Sequence, residues 1–181
     1  MKAWERTRQP EVQKIGWRWL TTKWFRDPDG NEQEYVVVDR EGSRAAAVIA
    51  LTPEKKVVIA KQFRAGPEKI MHELPGGAVD KDEDVEAAVA RELREETGYG
   101  IGRIEHLGTV YKSGYLCATW DYFIAFDCKK VADQQTDDGE FVDIQEISIA
   151  DLLSNARNGL LTDTEALFFA YEQLKEMEGQ S

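Results

Sequence analysis

The apolar residues of this chain fall into short runs typical of strands and into segments with helical spacing. Turn-forming residues, above all the Asp-Pro-Asp-Gly run at 27–30, separate the strand-like runs. Mixed strands and helices without regular βαβ alternation are typical of the α+β class, with helices sandwiching a mixed sheet. The pattern predicts strands at residues 17–25, 34–39, 45–52, 56–64, 104–111, 120–127 and 140–144.

Helical spacing is clearest at residues 85–97, a segment without Gly or Pro that ends at Gly98, a residue favoured after helix C-termini. Val85, Val89 and Leu93 lie on one stripe of this helix, so the stripe is predicted to face a core.

Two further helices are predicted near the end of the chain. Ser148 can cap a helix that ends near Gly159, and Thr162 with Glu165 forms a capping-box pattern for a helix that reaches Met177. Ahead of the core, the strands at 17–25 and 34–39 form an antiparallel β hairpin. We therefore divide the chain into a hairpin region at residues 1–44 and a main domain at residues 45–181.

Acidic side chains crowd the edge of the apolar stripe in the helix at 85–97. Glu92 and Glu96 are one turn apart on the same side, and Glu95 lies on the flank of that pair. Desolvation and mutual repulsion disfavour such a cluster, so we expect a cation to offset it. Clustered oxygen ligands suit Mg²⁺ or Mn²⁺. The alternative is an amphipathic helix with local ion pairs such as Arg91 with Glu95.

The same segment carries a motif. Residues 91–98 read Arg-Glu-Leu-Arg-Glu-Glu-Thr-Gly, and Gly77 and Glu83 precede them at a fixed spacing. The arrangement resembles the signature box of the Nudix hydrolases at every position except Tyr99, where Ile, Leu or Val is usual. The resemblance implies the Nudix fold, an α/β/α sandwich, and a pyrophosphohydrolase activity that depends on Mg²⁺, with Mn²⁺ as a substitute.

The resemblance also implies a set of metal ligands. Glu92, Glu96 and the backbone carbonyl of Gly76 would bind the ion, and Glu95 would assist as a ligand or through a bound water. Arg91 would pair with Glu83 and hold the loop to the helix, which is a structural role.

Outside the box, the chain resembles the branch of the family that hydrolyses ADP-ribose and other nucleoside diphosphate sugars. The shared features are the N-terminal hairpin, Gln-Phe-Arg at 62–64 and His-Glu-Leu-Pro-Gly-Gly at 72–77. In this branch an acidic residue on a later loop binds a metal or activates the attacking water. Glu140 matches that position and Asp138 is the second candidate; the alternative is a solvated acidic loop.

Candidate substrate contacts lie elsewhere. Arg64 ends an apolar strand, and its planar guanidinium matches phosphate oxygens, although it could instead pair with Glu73. Arg44 is a second candidate. Trp17 and Trp19 alternate onto one face of the first predicted strand, and the resemblance implies base stacking or burial in a homodimer; ordinary packing is the alternative.

One departure concerns the substrate. Enzymes that prefer ADP-ribose usually carry a Pro downstream of the box, whereas this chain has Lys-Ser-Gly-Tyr at 112–115. Tyr115 lies near the position where dinucleoside polyphosphate hydrolases carry a Tyr. Dinucleoside polyphosphates and nucleoside triphosphates are therefore alternative substrates, and a non-catalytic Nudix-fold ligand sensor is an alternative function.

Composition limits the other functions. A chain of 181 residues with 42% hydrophobic content is sufficient for one domain with an appendage, and a net charge of -11 argues against nucleic-acid binding. A polar N-terminus and short apolar runs predict neither a signal peptide nor a membrane span. Cys117 and Cys128 lack metal or redox spacing, which is typical of a protein in the reducing cytoplasm.

Overall fold

A computed structural model describes residues 1–135 and 141–179 of the chain. Two compact units divide it: Met1–Arg44 with Tyr111–Thr119, and Ala45–Val110 with Trp120–Ser181. In chain order the elements are β1 (Glu5–Arg6), β2 (Glu11–Ile15), β3 (Arg18–Arg26), β4 (Glu32–Val38), β5 (Arg44–Leu51), β6 (Val57–Arg64), β7 (Lys69–Glu73), β8 (Gly76–Val79), α1 (Val85–Thr97), β9 (Tyr99–Gly100), β10 (Arg103–Val110), β11 (Thr119–Phe126), β12 (Lys129–Lys130), β13 (Val142–Ile147), α2 (Ile149–Arg157) and α3 (Thr164–Gly179).

The first unit contains an antiparallel sheet with β3 at its centre. The predicted hairpin is present as β3 and β4, and Asp27 accepts backbone hydrogen bonds from Asn31 and from Gly30 in the turn between them. Strands β1 and β2 pair with β3 as well and were not predicted. Their residues are all exposed, so they lack the alternation of apolar and polar positions that reveals a half-buried strand.

The second unit is a sheet covered by helices on both faces, and the apolar side chains of β5 contact the helices on each face. Its odd-numbered residues from Ala47 to Leu51 pack with α2 and α3, whereas its even-numbered residues from Ala46 to Ala50 pack with α1. Because successive side chains of a strand point to opposite faces, a continuous apolar run buries both. The α+β class and the α/β/α sandwich around a mixed sheet are confirmed.

Short elements connect the sheet to α1. Strand β6 pairs with both β7 and β13, and β8 pairs with β5. Strands β7 and β8 were not predicted, and β13 begins at Val142 in the part of the chain that the structure describes. The segment between β7 and β8 is attached to β5, because the Pro75 carbonyl accepts a hydrogen bond of 3.0 Å from the Val48 amide.

The two C-terminal helices form as predicted, with a small difference at the second. Ser148 caps α2, and Ser148 and Asp151 complete a reciprocal capping box. Helix α3 begins at Thr164, so Asp163 rather than Thr162 immediately precedes its first residue.

Candidate active site

Helix α1 has the bounds and the ends that the sequence predicts. The Asp84 side chain accepts a hydrogen bond from the Ala87 amide at the N-terminus, and Gly98 ends the helix in the left-handed conformation at φ 76°. Val85, Val89 and Leu93 are buried against the sheet. The acidic residues beside this stripe are therefore held at the edge of the core by a rigid element.

Glu96 and Gly76 lie in direct contact. The Gly76 amide donates a hydrogen bond of 2.9 Å to the Glu96 carboxylate, which joins the start of β8 to the last turn of α1. A side chain at Gly76 has no space: a Cβ atom would lie 2.2 Å from the Ala46 carbonyl oxygen and 2.6 Å from the Ala47 Cα. The close approach of β8 to β5 therefore requires glycine.

Glu92 lies against the neighbouring glycine. A Cβ atom at Gly77 would be 2.7 Å from the carboxyl carbon of Glu92, so this glycine leaves room for the Glu92 carboxylate. Burial raises the pKa of Glu92 above its ordinary value, and the Arg91 guanidinium opposes this shift. The structure thus brings together Gly76, Glu92 and Glu96, three of the predicted metal ligands.

Arg91 links the carboxylates around it. Its guanidinium donates to Glu83 at 3.0 Å, to Glu92 at 2.9 Å and to Glu95 at 3.1 Å. The predicted contact with Glu83 is therefore present. The ion pair of Arg91 with Glu95, the alternative to a bound cation, is present and neutralises part of the clustered charge. A bound cation stays a prediction.

The donor atoms nevertheless suit a hard divalent ion. In residues 1–135 and 141–179, no three His, Cys, Asp or Glu side chains are placed to hold an ion by themselves. The carboxylates of Glu92 and Glu96 and the peptide of Gly76 offer oxygen ligands, and the space that a Cβ at Gly77 would fill lies beside them. The other acidic candidates, Asp138 and Glu140, lie outside the described residues.

Arg64 takes the alternative partner that the sequence left open. It forms an ion pair with Glu73, in which the Arg64 Nε donates to the Glu73 carboxylate at 2.6 Å. The hydrogen bond to Glu73 raises the pKa of Arg64, and the negative charges of Glu73, Glu96 and Asp163 act in the same direction. The guanidinium is therefore oriented among carboxylates near the Gly76 peptide.

The remaining predicted contacts belong to the first unit. Arg44 is exposed at the first residue of β5. Trp17 was expected in a strand with Trp19, but it lies in the turn before β3, 72% exposed, with the Arg18 guanidinium 3.9 Å from its ring centroid. The end of the turn is hard to predict here because Gly16 is followed directly by Trp17, an aromatic residue of the type that favours strands.

Tyr99, the departure from the box, has a specific partner. Its ring is buried in the core beside α1, and its hydroxyl donates a hydrogen bond to the Glu146 carboxylate on β13. Burial raises the pKa of Tyr99 to about 12, with a smaller contribution from the hydrogen bond to Glu146. The sequence pattern could not identify this pair, because the two residues are 47 positions apart.

We expect the substitution Tyr99→Phe to lower the free energy of unfolding by about 1 kcal/mol at pH 7, since it removes one hydrogen bond. The raised pKa means that the contribution of Tyr99 is complete below pH 10 and is lost between pH 10 and about 12. Urea unfolding should therefore show that the advantage of the wild type over Tyr99→Phe shrinks across that window. An advantage of constant size at pH 7 and pH 11 would contradict the assignment.

Asp163 is the site residue that sequence reasoning missed. Its side chain is buried and accepts a hydrogen bond of 3.2 Å from the Leu74 amide. The predicted capping pattern consisted of Thr162 and Glu165 and did not include Asp163, and no local pattern shows which distant peptide this carboxylate contacts.

No helix in the described part of the chain combines the length and the apolar character that a membrane span requires.

Comparisons with known proteins show the family and the fold of this chain. The profile of the NUDIX domain family matches residues 42–167. ADP-ribose pyrophosphatase of Bacillus subtilis (strain 168) is 32% identical over 152 residues, covering 82% of this chain and 81% of the relative. The methanol dehydrogenase activator of Bacillus methanolicus is 32% identical with the same coverage, 82% and 81%. A crystal structure of an ADP compounds hydrolase, 19% identical, superposes with a TM-score of 0.73 over 94% of this chain and 96% of the other, a likeness of fold alone.

Proposed function

The chain belongs to the Nudix family and is a Nudix pyrophosphohydrolase, and from this premise we propose that it hydrolyses the diphosphate bond of nucleoside diphosphate sugars. The products are a nucleoside monophosphate and a sugar phosphate. The observation that carries the proposal is the contact of Gly76 with Glu96 beside the half-buried Glu92. The name of the Bacillus subtilis relative supports the substrate class.

Pyrophosphatases of this family use a divalent metal ion, and the ion proposed for this chain is Mg²⁺, with Mn²⁺ as a substitute. Glu92, Glu96 and the Gly76 carbonyl would hold it. When bound, such an ion neutralises charge on the diphosphate and lowers the pKa of a bound water. The role of the chain's own residues is to orient these donors: Arg91 holds the carboxylate of Glu92, and the Gly76 amide holds that of Glu96.

Two further roles in hydrolysis are proposed for acidic residues. Glu95 contacts Arg91 at the outer side of the cluster, where it assists through a ligand bond or a bound water. Glu140, or Asp138 in its place, positions or deprotonates the attacking water as a general base. Glu140 and Asp138 lie outside the described residues, so the assignment of the general base rests on the sequence resemblance.

Arg64 is proposed to bind the diphosphate. Its pairing with Glu73 fixes the plane of the guanidinium, and a fixed planar donor loses less freedom when it meets an anion. Contacts of Arg44, Trp17 and Trp19 with the substrate are also proposed. The exposed Trp17 ring, with Arg18 stacked on it, is suited to stack on a base.

A homodimer in the cytoplasm is the proposed state of the protein. Cys117 and Cys128 are both free thiols, as a reducing compartment requires. Sedimentation equilibrium tests the assembly, and a species of only 20.6 kDa would contradict the dimer.

The substrate test is steady-state hydrolysis with Mg²⁺ of ADP-ribose, ADP-glucose, GDP-mannose, UDP-glucose and diadenosine polyphosphates, with products separated by chromatography. We expect one nucleoside diphosphate sugar to be cleaved with a higher kcat/KM than the polyphosphates. Cleavage of a polyphosphate alone would favour the alternative that Tyr115 suggests, because its ring is 67% exposed and available for a second base. Binding of an ADP-sugar without cleavage, with Mn²⁺ also tried, would favour the ligand sensor.

A further inference from the structure

Residues 74–77, which lead from the end of β7 into the first two residues of β8, are here called the Gly-Gly loop. Three contacts hold its peptide groups. The Pro75 carbonyl accepts from the Val48 amide at 3.0 Å, the Gly76 amide donates to Glu96 at 2.9 Å, and the Leu74 amide donates to Asp163 at 3.2 Å. The orientation of the Gly76 peptide therefore depends on β5, α1 and the residue that precedes α3.

The contact from Asp163 continues a series of backbone bonds. The connection between α2 and α3 lies parallel to β7, so that the His72 amide donates to the Leu160 carbonyl at 2.8 Å and the Thr162 amide donates to the His72 carbonyl at 3.1 Å. The next amide on that side of β7 is Leu74, and its acceptor is the carboxylate of Asp163. The amide two residues further on, that of Gly76, donates to Glu96 on α1 instead.

Asp163 is buried more deeply than a helix-capping residue needs to be. It is 4% exposed, and it accepts a further hydrogen bond of 2.9 Å from the Thr162 hydroxyl. Tyr122, which is fully buried, has a raised pKa because of burial and of the nearby Asp163 and Glu165 charges. A buried carboxylate is strongly disfavoured unless hydrogen bonds compensate for its lost hydration, and the Leu74 amide is one of these donors.

We propose that Asp163 is a positioning residue of the metal site. Through the Leu74 amide it fixes the Gly-Gly loop and thereby aims the Gly76 carbonyl. The inference rests on the proposed function, because it uses the assignment of that carbonyl as a ligand. Asp163 acts on the ion only through the loop, as a carboxylate that binds a peptide rather than the metal.

The test measures Mn²⁺ affinity by electron paramagnetic resonance without substrate, together with the melting temperature. We expect Asp163→Ala to bind Mn²⁺ about 10–100-fold more weakly, the range typical of residues that orient metal ligands. Asp163→Asn should stay close to wild type, since its amide oxygen still accepts from Leu74. Equal losses of Mn²⁺ affinity in Asp163→Ala and Asp163→Asn would mean that the charge of Asp163 acts directly on the ion. That result would overturn the proposal.

Asn155→Ala is the matched control. Asn155 on α2 contacts the ring of His72 at 2.7 Å, on strand β7 ahead of the Gly-Gly loop. Its loss should therefore lower the melting temperature without weakening Mn²⁺ binding. Equal Mn²⁺ losses in Asn155→Ala and Asp163→Ala would overturn the proposal, as would wild-type affinity in a less stable Asp163→Ala.

If Asp163→Ala does not fold, Asp163→Ser replaces it, because serine keeps a small polar group but is too short to reach the Leu74 amide, and the same weakening of Mn²⁺ binding is expected. The proposed function fails separately: a wild type that binds Mn²⁺ but cleaves no nucleoside diphosphate sugar overturns the function, and the variants still decide the role of Asp163. A wild type that binds no Mn²⁺ overturns both.

Discussion

Replacement of Glu96 by Gln is expected to lower kcat for diphosphate hydrolysis roughly 10³-fold or more, since stabilisation by a bound ion is worth several kcal/mol and each 1.4 kcal/mol is about tenfold. The side-chain oxygen of Gln still accepts the hydrogen bond from the Gly76 amide, so the connection between β8 and α1 is retained. The variant should therefore fold normally while it lacks the charge that the ion needs. Steady-state kinetics and circular dichroism of the purified variant measure the two effects.

Glu86→Gln is the matched control for this experiment. Glu86 lies in the first turn of the same helix and is exposed, so the substitution removes the same charge away from the Gly-Gly loop. We expect its kcat to equal that of the wild type. If Glu96→Gln also hydrolyses the substrate at nearly the normal rate, Glu96 is not a ligand.

Local sequence patterns were sufficient to predict the elements whose boundary signals all lie within the segment itself. The helix α1 was predicted to the residue, because its capping residues and its apolar stripe are all contained in the segment itself. Strands β5 and β6 were predicted within one residue at each end, since their apolar runs are bounded by turn residues. The Nudix box placed Glu92 and Glu96 on that helix before any tertiary contact was known.

Contacts between distant segments could not be predicted in the same way. Arg64 had two possible partners, and only the side-chain contact identifies Glu73, because the register of β6 and β7 places Arg64 opposite Lys69. Asp163 is 89 positions from Leu74, so the capping pattern suggested a helix start but not a role in the Gly-Gly loop. Strand β2 is fully exposed, and its pairing with β3 is defined by backbone bonds that leave no trace in the sequence pattern.

The substitution Gly76→Ala is expected to destabilise the protein by about 2–5 kcal/mol, from overpacking together with an unfavourable backbone conformation. The added Cβ would meet backbone atoms of β5 at 2.2 Å and 2.6 Å, and the φ of 157° is rarely adopted by residues with a side chain. For a chain of this size the melting temperature should fall by roughly 5–20 °C. Thermal unfolding followed by circular dichroism is the measurement.

Gly66→Ala separates this clash from a general effect of added side chains. A Cβ at Gly66 meets nothing within 4 Å, so its melting temperature should stay close to that of the wild type. Similar melting temperatures for the two variants would mean that β8 can move away from β5 at little cost. Because the Gly76 peptide also faces Glu96, Gly76→Ala should lose activity and stability together, whereas Glu96→Gln should lose activity alone. That contrast distinguishes the residue that shapes the loop from the residue that supplies the charge.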